Sequence, residues 1–304
     1  MRVLYFGDAS WGMESLNLLI ENGIEVLGVV IRTHPTDGSL EESARRKNLP
    51  LFQPANCNAP EFLDIVKKIK PDLNISVSYD QILRPAIIDS APMGFINFHA
   101  GKLPYYRGRS VINWAIINGE DEVGITGHFV DEGIDTGDII LQQTLPVAWE
   151  DDYNAVLNRV VAAFPQLVLE TTLRVKTGNF ERIKQSHLPG SYFPRRGEGD
   201  EWLDWLDSSR NLYNKIRGIS APAPGAATMI DDRKVVIWKA HYDPSWPNYI
   251  ATPGQVVGVN PEQGVLVKTG DSTLLIQKVQ YVGENEPHVP KWRIGRRLKP
   301  AVII

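Results

Sequence analysis

The chain has 304 residues, 43% of them hydrophobic and 22% charged, and a net charge of −4. That composition excludes disordered and fibrous classes and suits two domains or one large one. The acidic balance supplies no overall attraction to nucleic acid, so contact of that kind needs a local basic patch.

A single cysteine, Cys57, permits neither an intramolecular disulfide nor a thiolate metal cluster, which fits a reducing cytoplasm. The first residues lack the regions of a signal peptide, and no apolar run reaches membrane-spanning length, so no membrane association is expected. Residues 3–6 form an apolar run ending in Gly7-Asp8, followed by a helical pattern through Met13, Leu16, Leu18, Leu19 and Ile20. The spacing of Gly7 and Gly12 is not that of a dinucleotide-binding turn. Residues 26–31 then predict a buried strand, 40–47 a helix, 51–52 a brief extended piece, 61–69 a helix and 73–78 a strand. Strands alternating with helices imply βαβ units and a mostly parallel, Rossmann-like α/β sheet with helices on both faces.

The next strand carries Asn97 and His99 and runs into a glycine-containing turn. After Pro104, residues 105–109 read as a polar loop, and Ser110 can cap a helix bearing Val111, Trp114, Ala115 and Ile117. Residues 125–130 and 139–145 read as strands flanking the acidic segment 131–138, a functional loop by its density of acids and glycines. A long helix is predicted over 152–175, with Val156, Val160, Ala163, Leu167 and Leu169 along its buried side. Residues 185–200, which include Arg195-Arg196, read as a linker, and Ser208 starts a helix through Leu212, Tyr213 and Ile216. Segments 226–230, 234–240, 254–259, 264–269 and 272–279 read as strands of a small β-barrel. The expected domains are 1–184, a linker at 185–207, and 208–304.

Asn97 and His99 are two apart, so on a strand they project from one face, and the carboxyl end of a parallel strand is where open α/β sheets bind ligands. With one carboxylate of the acidic loop they make a chemical set. The amide can stabilise an oxyanion, the imidazole can move a proton near neutral pH, and the carboxylate can orient the imidazole and favour its charged form. Such a set suits acyl transfer to an amine. The plainer readings are a backbone-bonded core histidine, a turn asparagine and a solvated acidic loop. A metal centre needs three or four convergent ligands, and only His99, His128 and these acids offer themselves, so no metal is expected. His34, His187, His241 and His288 have no partner spacing. Tyr105, Tyr106 and Trp114 suit stacking on a base or sugar as much as core packing. Arg107, Arg109, Arg195 and Arg196 suit forked contacts to phosphate as much as solvation at the surface.

The stretch Asn97-Phe98-His99-Ala100-Gly101-Lys102-Leu103-Pro104-Tyr105-Tyr106-Arg107-Gly108, followed by Asp131-Glu132-Gly133-Ile134-Asp135-Thr136-Gly137-Asp138, resembles the N10-formyltetrahydrofolate-dependent formyltransferases. The likeness covers nearly the whole chain. It implies a Rossmann-like catalytic domain and a C-terminal, OB-like barrel similar to that of methionyl-tRNA formyltransferase and of the bacterial enzyme that formylates UDP-4-amino-4-deoxy-arabinose. By this resemblance Asn97, His99 and Asp135 match the catalytic trio. Gln81, Ile82 and Leu83, with Asp131, Glu132, Gly133, Ile134 and Asp135, match segments that enclose the folate. The family's usual small-residue and leucine pair before Leu103-Pro104 is here Gly101-Lys102.

For the acceptor, Arg107-Gly108-Arg109, Asn113-Trp114, Asn118-Gly119-Glu120 and Tyr192-Phe193-Pro194-Arg195-Arg196 look like the amino-sugar enzyme. The tRNA enzyme carries a glycine-rich basic loop after the second strand, and residues 33–38 show none. The acidic net charge agrees, because tRNA binding relies on cationic contacts to phosphate, whereas the basic tail 291–299 favours RNA. The resemblance therefore implies formyl transfer from N10-formyltetrahydrofolate to a nucleotide-linked amino sugar. Tyr105, Trp114, Arg107, Arg109, Arg195 and Arg196 would contact that substrate. Charged tRNA is the partner under the alternative reading. Hydrolysis of the formyl-folate, or a non-catalytic nucleotide-sugar or RNA-binding protein, are further alternatives on the same scaffold. An apolar strand face in the second domain is compatible with a homodimer.

Overall fold

Apolar runs bounded by glycine or polar turns become strands in this chain, and the amphipathic segments between them become helices. The computed structural model describes residues 1–186 and 189–300, so His187 lies outside the described residues. The chain divides into two compact units, one of residues 1–108, 123–145 and 158–193, the other of 109–122, 146–157 and 194 onward. Segments 109–122 and 146–157, placed by sequence in the first domain, thus cluster with the second unit.

In the first unit, strands β1 (Arg2–Gly7), β2 (Glu25–Ile31), β3 (Leu51–Phe52), β4 (Leu73–Val77) and β5 (Phe95–His99) are joined through helices α1 (Ala9–Glu21), α2 (Ser39–Arg46), α3 (Pro60–Ile69) and the short α4 (Pro85–Ile88). The five strands are parallel neighbours in the order β3-β2-β1-β4-β5. Val3, Leu4, Tyr5 and Phe6 of β1 are all buried, the continuous apolar run of a strand covered on both faces. Helix α3 opens on Pro60, whose missing N–H is no loss in a first turn, and ends on Lys67 and Lys68, which complement the helix dipole. The order reverses between β1 and β4, and the carboxyl ends there open the crevice in which such sheets bind ligands.

Beyond β5 the chain forms β6 (Arg107–Gly108), α5 (Val111–Ile117), β7 (Glu122–Phe129), β8 (Ile139–Pro146), α6 (Tyr153–Thr177) and β9 (Tyr192–Phe193). β7 lies antiparallel against β5, and β8 completes the seven-stranded sheet. On α6 the predicted face is buried except at Ala163, which is half-buried beside buried Phe164. The predicted polar loop and linker need correction. β6 pairs in parallel with β9, so residues 107–108 and 192–193 are tied together by backbone hydrogen bonds, which sequence patterning does not reveal in two-residue strands.

In the second unit, Ser110 takes the position before α5 with φ 52° but makes no cap; its hydroxyl accepts from the Arg196 N–H instead. Helix α7 (Ser209–Gly218) does have the predicted cap, the Ser208 hydroxyl accepting from the Asn211 N–H. Strands β10 (Ala226–Ile230), β11 (Arg233–His241), β12 (Val256–Asn260), β13 (Gly264–Lys268) and β14 (Thr273–Tyr281) form one antiparallel sheet in the order β10-β11-β14-β13-β12. The edges do not pair directly. Bridges from Lys299 to Met229 and from Arg297 to Gln255 lay the basic tail across both of them. Buried Leu298 and Trp292 anchor that tail in a core with Trp205, Leu212, Ile237 and Ile276.

Candidate active site

The site grows from the pairing of β5 and β7. Asn97 lies directly opposite His128, and His99 opposite Thr126. Cross-strand partners share a face, as do residues two apart, so Asn97, His99 and His128 come to one side of the sheet. The turn after β5 is held by the Thr126 hydroxyl, which donates to the Gly101 carbonyl (2.7 Å), and by the Gln142 amide, which donates to the Leu103 carbonyl (2.8 Å). A Cβ at Gly101 would collide with the His99 ring and the Tyr106 carbonyl, so only glycine lets the chain fold back over the imidazole.

Two carbonyls set the histidine tautomers. His99 Nε2 lies 2.6 Å from the Tyr106 carbonyl oxygen and His128 Nδ1 lies 2.7 Å from that of Phe129, so each of these nitrogens carries its hydrogen and donates. In the neutral rings the free lone pairs are His99 Nδ1 and His128 Nε2. The latter accepts from the Asn97 amide nitrogen at 3.2 Å, which fixes which end of that amide faces the ring and leaves its second N–H directed elsewhere.

Asp135 completes the group. Its carboxylate is 3.7 Å from His99 Nδ1 and 3.6 Å from His128 Nε2, and it accepts from the Gly108 N–H at 2.9 Å. Burial by itself would raise its pKa, but the two imidazoles and the Gly108 N–H outweigh that and hold the carboxyl well below the usual carboxylate range. The group is an amide, two imidazoles and a carboxylate that stays ionised. His99 is oriented by the Tyr106 carbonyl, with Asp135 at ion-pair distance.

The other predicted residues divide between scaffold and surface. Asp131 accepts from the Gly133 N–H and the Thr136 hydroxyl, closing the acidic loop on itself, while Glu132 and Ile134 are exposed. Gln81 is used internally, its amide bonded to the Cys57 N–H and the Pro54 carbonyl; Ile82 is exposed and Leu83 packs on the β-sheet core. Tyr105 is exposed. Arg107 is corrected outright: it is 1% exposed and donates to Gln185 and Tyr192, so it belongs to the scaffold and not to a ligand-facing surface.

Arg109, Trp114, Arg195 and Arg196 belong to the second unit. There the Trp114 indole donates to the Pro194 carbonyl and the Arg196 N–H to the Ser110 hydroxyl, which draws 109–114 and 194–196 together. Burial lowers the pKa of Arg196 from the usual arginine value, opposed by Asp200 and Glu201, and its Nε is buried without a hydrogen-bond partner among the described residues.

Three buried polar positions of this unit are not marked by sequence patterning alone. His128 reads in sequence only as a metal-ligand candidate, and its place beside Asn97 follows from the pairing of the two strands. Gln185 falls in the segment that reads as a linker, yet it is buried and bonded to the acidic loop. At the switch point, buried Asp8 receives the Thr36 N–H at 3.1 Å and the Arg32 guanidinium at 3.2 Å, and nothing in the glycine spacing marks that cluster. Among the described residues no His, Cys, Asp and Glu converge as a metal site, and no helix is long and apolar enough to cross a membrane.

The family model described as Formyl transferase matches residues 1–172, and that described as Formyl transferase, C-terminal domain matches residues 197–297. A methionyl-tRNA formyltransferase of Desulforamulus reducens is 32% identical over 312 aligned positions, covering 100% of this chain and 98% of that protein. Among solved structures, an N-formyltransferase from Helicobacter canadensis, in complex with folinic acid and dTDP-3-aminofucose, superposes with a TM-score of 0.70 at 20% identity, covering 90% of this chain and 98% of the other. A sugar 3N-formyl transferase, WlaRD, in the presence of dTDP and 5-N-formyl-THF, gives 0.71 at 20% identity over 94% and 99%. At that identity the two superpositions speak for the fold, whereas the matched family models and the full-length relative show that the chain belongs to the formyl transferase family.

Proposed function

We propose that this formyltransferase takes its formyl group from N10-formyltetrahydrofolate and delivers it to the amine of a nucleotide-linked amino sugar. The observation that carries the chemistry is the meeting of Asn97, His99 and Asp135, supplied by β5 and the loop after β7, around one face of the sheet. The donor set fits a folate-borne formyl group: neutral and ionic hydrogen-bonding groups, and exposed apolar Ile82 and Ile134 on loops that the family resemblance assigns to the folate. That donor supplies an activated carbonyl.

Asn97, with one N–H committed to His128, presents the other to the oxyanion that develops as the amine attacks. His99 takes the amine proton at Nδ1, its Nε2 being occupied by Tyr106, and gives it to the donor's nitrogen as the bond from that nitrogen to the formyl carbon breaks, so that tetrahydrofolate leaves neutral. Asp135, ionised throughout, stabilises the imidazolium so formed without becoming protonated. For the pyrophosphate the sequence offers Arg109, Arg195 and Arg196, whose forked N–H groups suit anionic oxygens.

The amino-sugar reading is supported by the absence of Lys and Arg from residues 33–38 and by the net charge of −4. A second reading, methionyl-tRNA as acceptor, is favoured by the full-length relative at 32% identity. The test is a side-by-side assay of UDP- and dTDP-linked amino sugars and charged initiator tRNA with N10-formyltetrahydrofolate. Product from an amino sugar alone is the expected result, and product from tRNA alone overturns the acceptor assignment. His99→Ala should lower transfer by about 100-fold or more while the protein melts as the wild type does, the scale on which a general base contributes. Full activity in that variant would reject the mechanism.

A further inference from the structure

We propose that Gln185, backed by Arg107, is the positioning residue for Asp135, a strap that holds the acidic loop in working register. The inference rests on the reading of Asp135 as the working carboxylate. The Gln185 side chain is buried and spends every polar atom. Its Nε2 donates to the Asp135 carbonyl (2.8 Å) and the Gly137 carbonyl (2.7 Å), and its Oε1 accepts from Arg107 Nε (3.0 Å) and Nη2 (2.7 Å). A guanidinium only donates, so the amide oxygen must face Arg107 and both amide hydrogens must face the loop. The orientation of Gln185 is therefore dictated.

The loop needs that support. Asp135 sits at φ 54°, the left-handed region that side chains with a Cβ disfavour, and a Cβ at Gly137 would run into the Phe129 carbonyl. Such a backbone persists where its surroundings over-determine it. The same pair also fixes the other side of the carboxylate, because Gly108, whose N–H holds Asp135 Oδ2 at 2.9 Å, directly follows Arg107. Arg107 is pinned in turn by its N–H to the Ser191 carbonyl (2.9 Å) and by the Tyr192 hydroxyl (3.1 Å). With the carboxylate at 3.6 and 3.7 Å from two rings, a displacement of one ångström separates a useful ion pair from a distant charge.

Two variants test the strap: Gln185→Met, close in volume and without donors, and Gln185→Glu, which keeps an acceptor for Arg107 and sets an oxygen against two carbonyls. In both, the carboxyl 13C signal of Asp135, read across pH without any substrate, should titrate nearer the ordinary aspartate range than in the wild type. With N10-formyltetrahydrofolate and the amino sugar that the panel identifies, kcat should fall about 10- to 100-fold with both KM values within about 3-fold, the cost of misplacing a catalytic group. In an Asp135→Asn background the same substitutions should change the residual rate by less than about 3-fold, since residues acting as one unit are not additive. An unmoved Asp135 signal, or equal losses in both backgrounds, overturns the strap. Loss of fold in both variants does so too, by assigning the amide to stability alone. Full activity in Asp135→Asn by itself would instead sink the reading of Asp135, whatever the Gln185 variants do.

Discussion

At the scale of single residues, the site is governed by which nitrogen of each histidine is spoken for. Tyr106 and Phe129 claim one nitrogen on each ring through their carbonyls, so the nitrogen of His99 left to accept a proton is Nδ1 and that of His128 faces Asn97. His128→Phe frees the Asn97 amide to turn, and kcat should fall about 10- to 100-fold with little change in KM, the signature of an interaction made in the transition state; a changed KM at constant kcat would contradict it. The Asp135 carboxyl has a lower pKa folded than unfolded, so its stabilisation is complete above the usual aspartate value near pH ~4 and is lost as pH falls through the native value. Melting temperatures of wild type and Asp135→Asn should therefore differ by a constant amount near neutrality and converge in acid; a gap that widens on acidification would contradict the assignment. Sequence offers Asn97 and His99 as a set because they stand two apart in one short motif, and Asp135 because it lies in a second, acidic one. His128 and Gln185 are not offered in this way, since their significance lies in a strand register and in hydrogen bonds across 48 and 50 positions of chain.

At the scale of elements, the long apolar strands and amphipathic helices of the parallel sheet were readable from periodicity, and their ends moved by a residue or two. What periodicity missed is short or set by tertiary pairing: α4, the two-residue strands β6 and β9, and the Ser110 hydroxyl diverted from capping to Arg196. The basic tail is the clearest case. Its charges suggested a binding segment, while its structural work is done by the residues between them, Trp292 and Leu298, as the segment bridges Met229 and Gln255 at the open edges of the five-stranded sheet. Leu298→Ala should cost about 2–5 kcal/mol, the range for truncating a buried leucine, read as a lowered denaturant midpoint. A midpoint within error of the wild type would mean that the tail does not hold the two edges of the sheet.

At the scale of the whole molecule, the chain divides into two compact units, and the residues proposed for proton and oxyanion handling all belong to the first. Arg196→Ala should raise KM for the nucleotide sugar by about 10-fold at unchanged kcat, as loss of uniform binding does; a loss confined to kcat would move Arg196 out of that role. Sequence made the family and the two-domain plan legible. It left the acceptor open, because the features that choose a sugar or a tRNA are loop charges that the fold does not dictate. The most direct measurement of the central claim is formyl transfer from N10-formyltetrahydrofolate across the amino-sugar and tRNA panel by wild type, Asn97→Ala, His99→Ala and Asp135→Asn. Transfer by the wild type that collapses in all three folded variants is the predicted result, and transfer that survives the loss of any one of these side chains would contradict it.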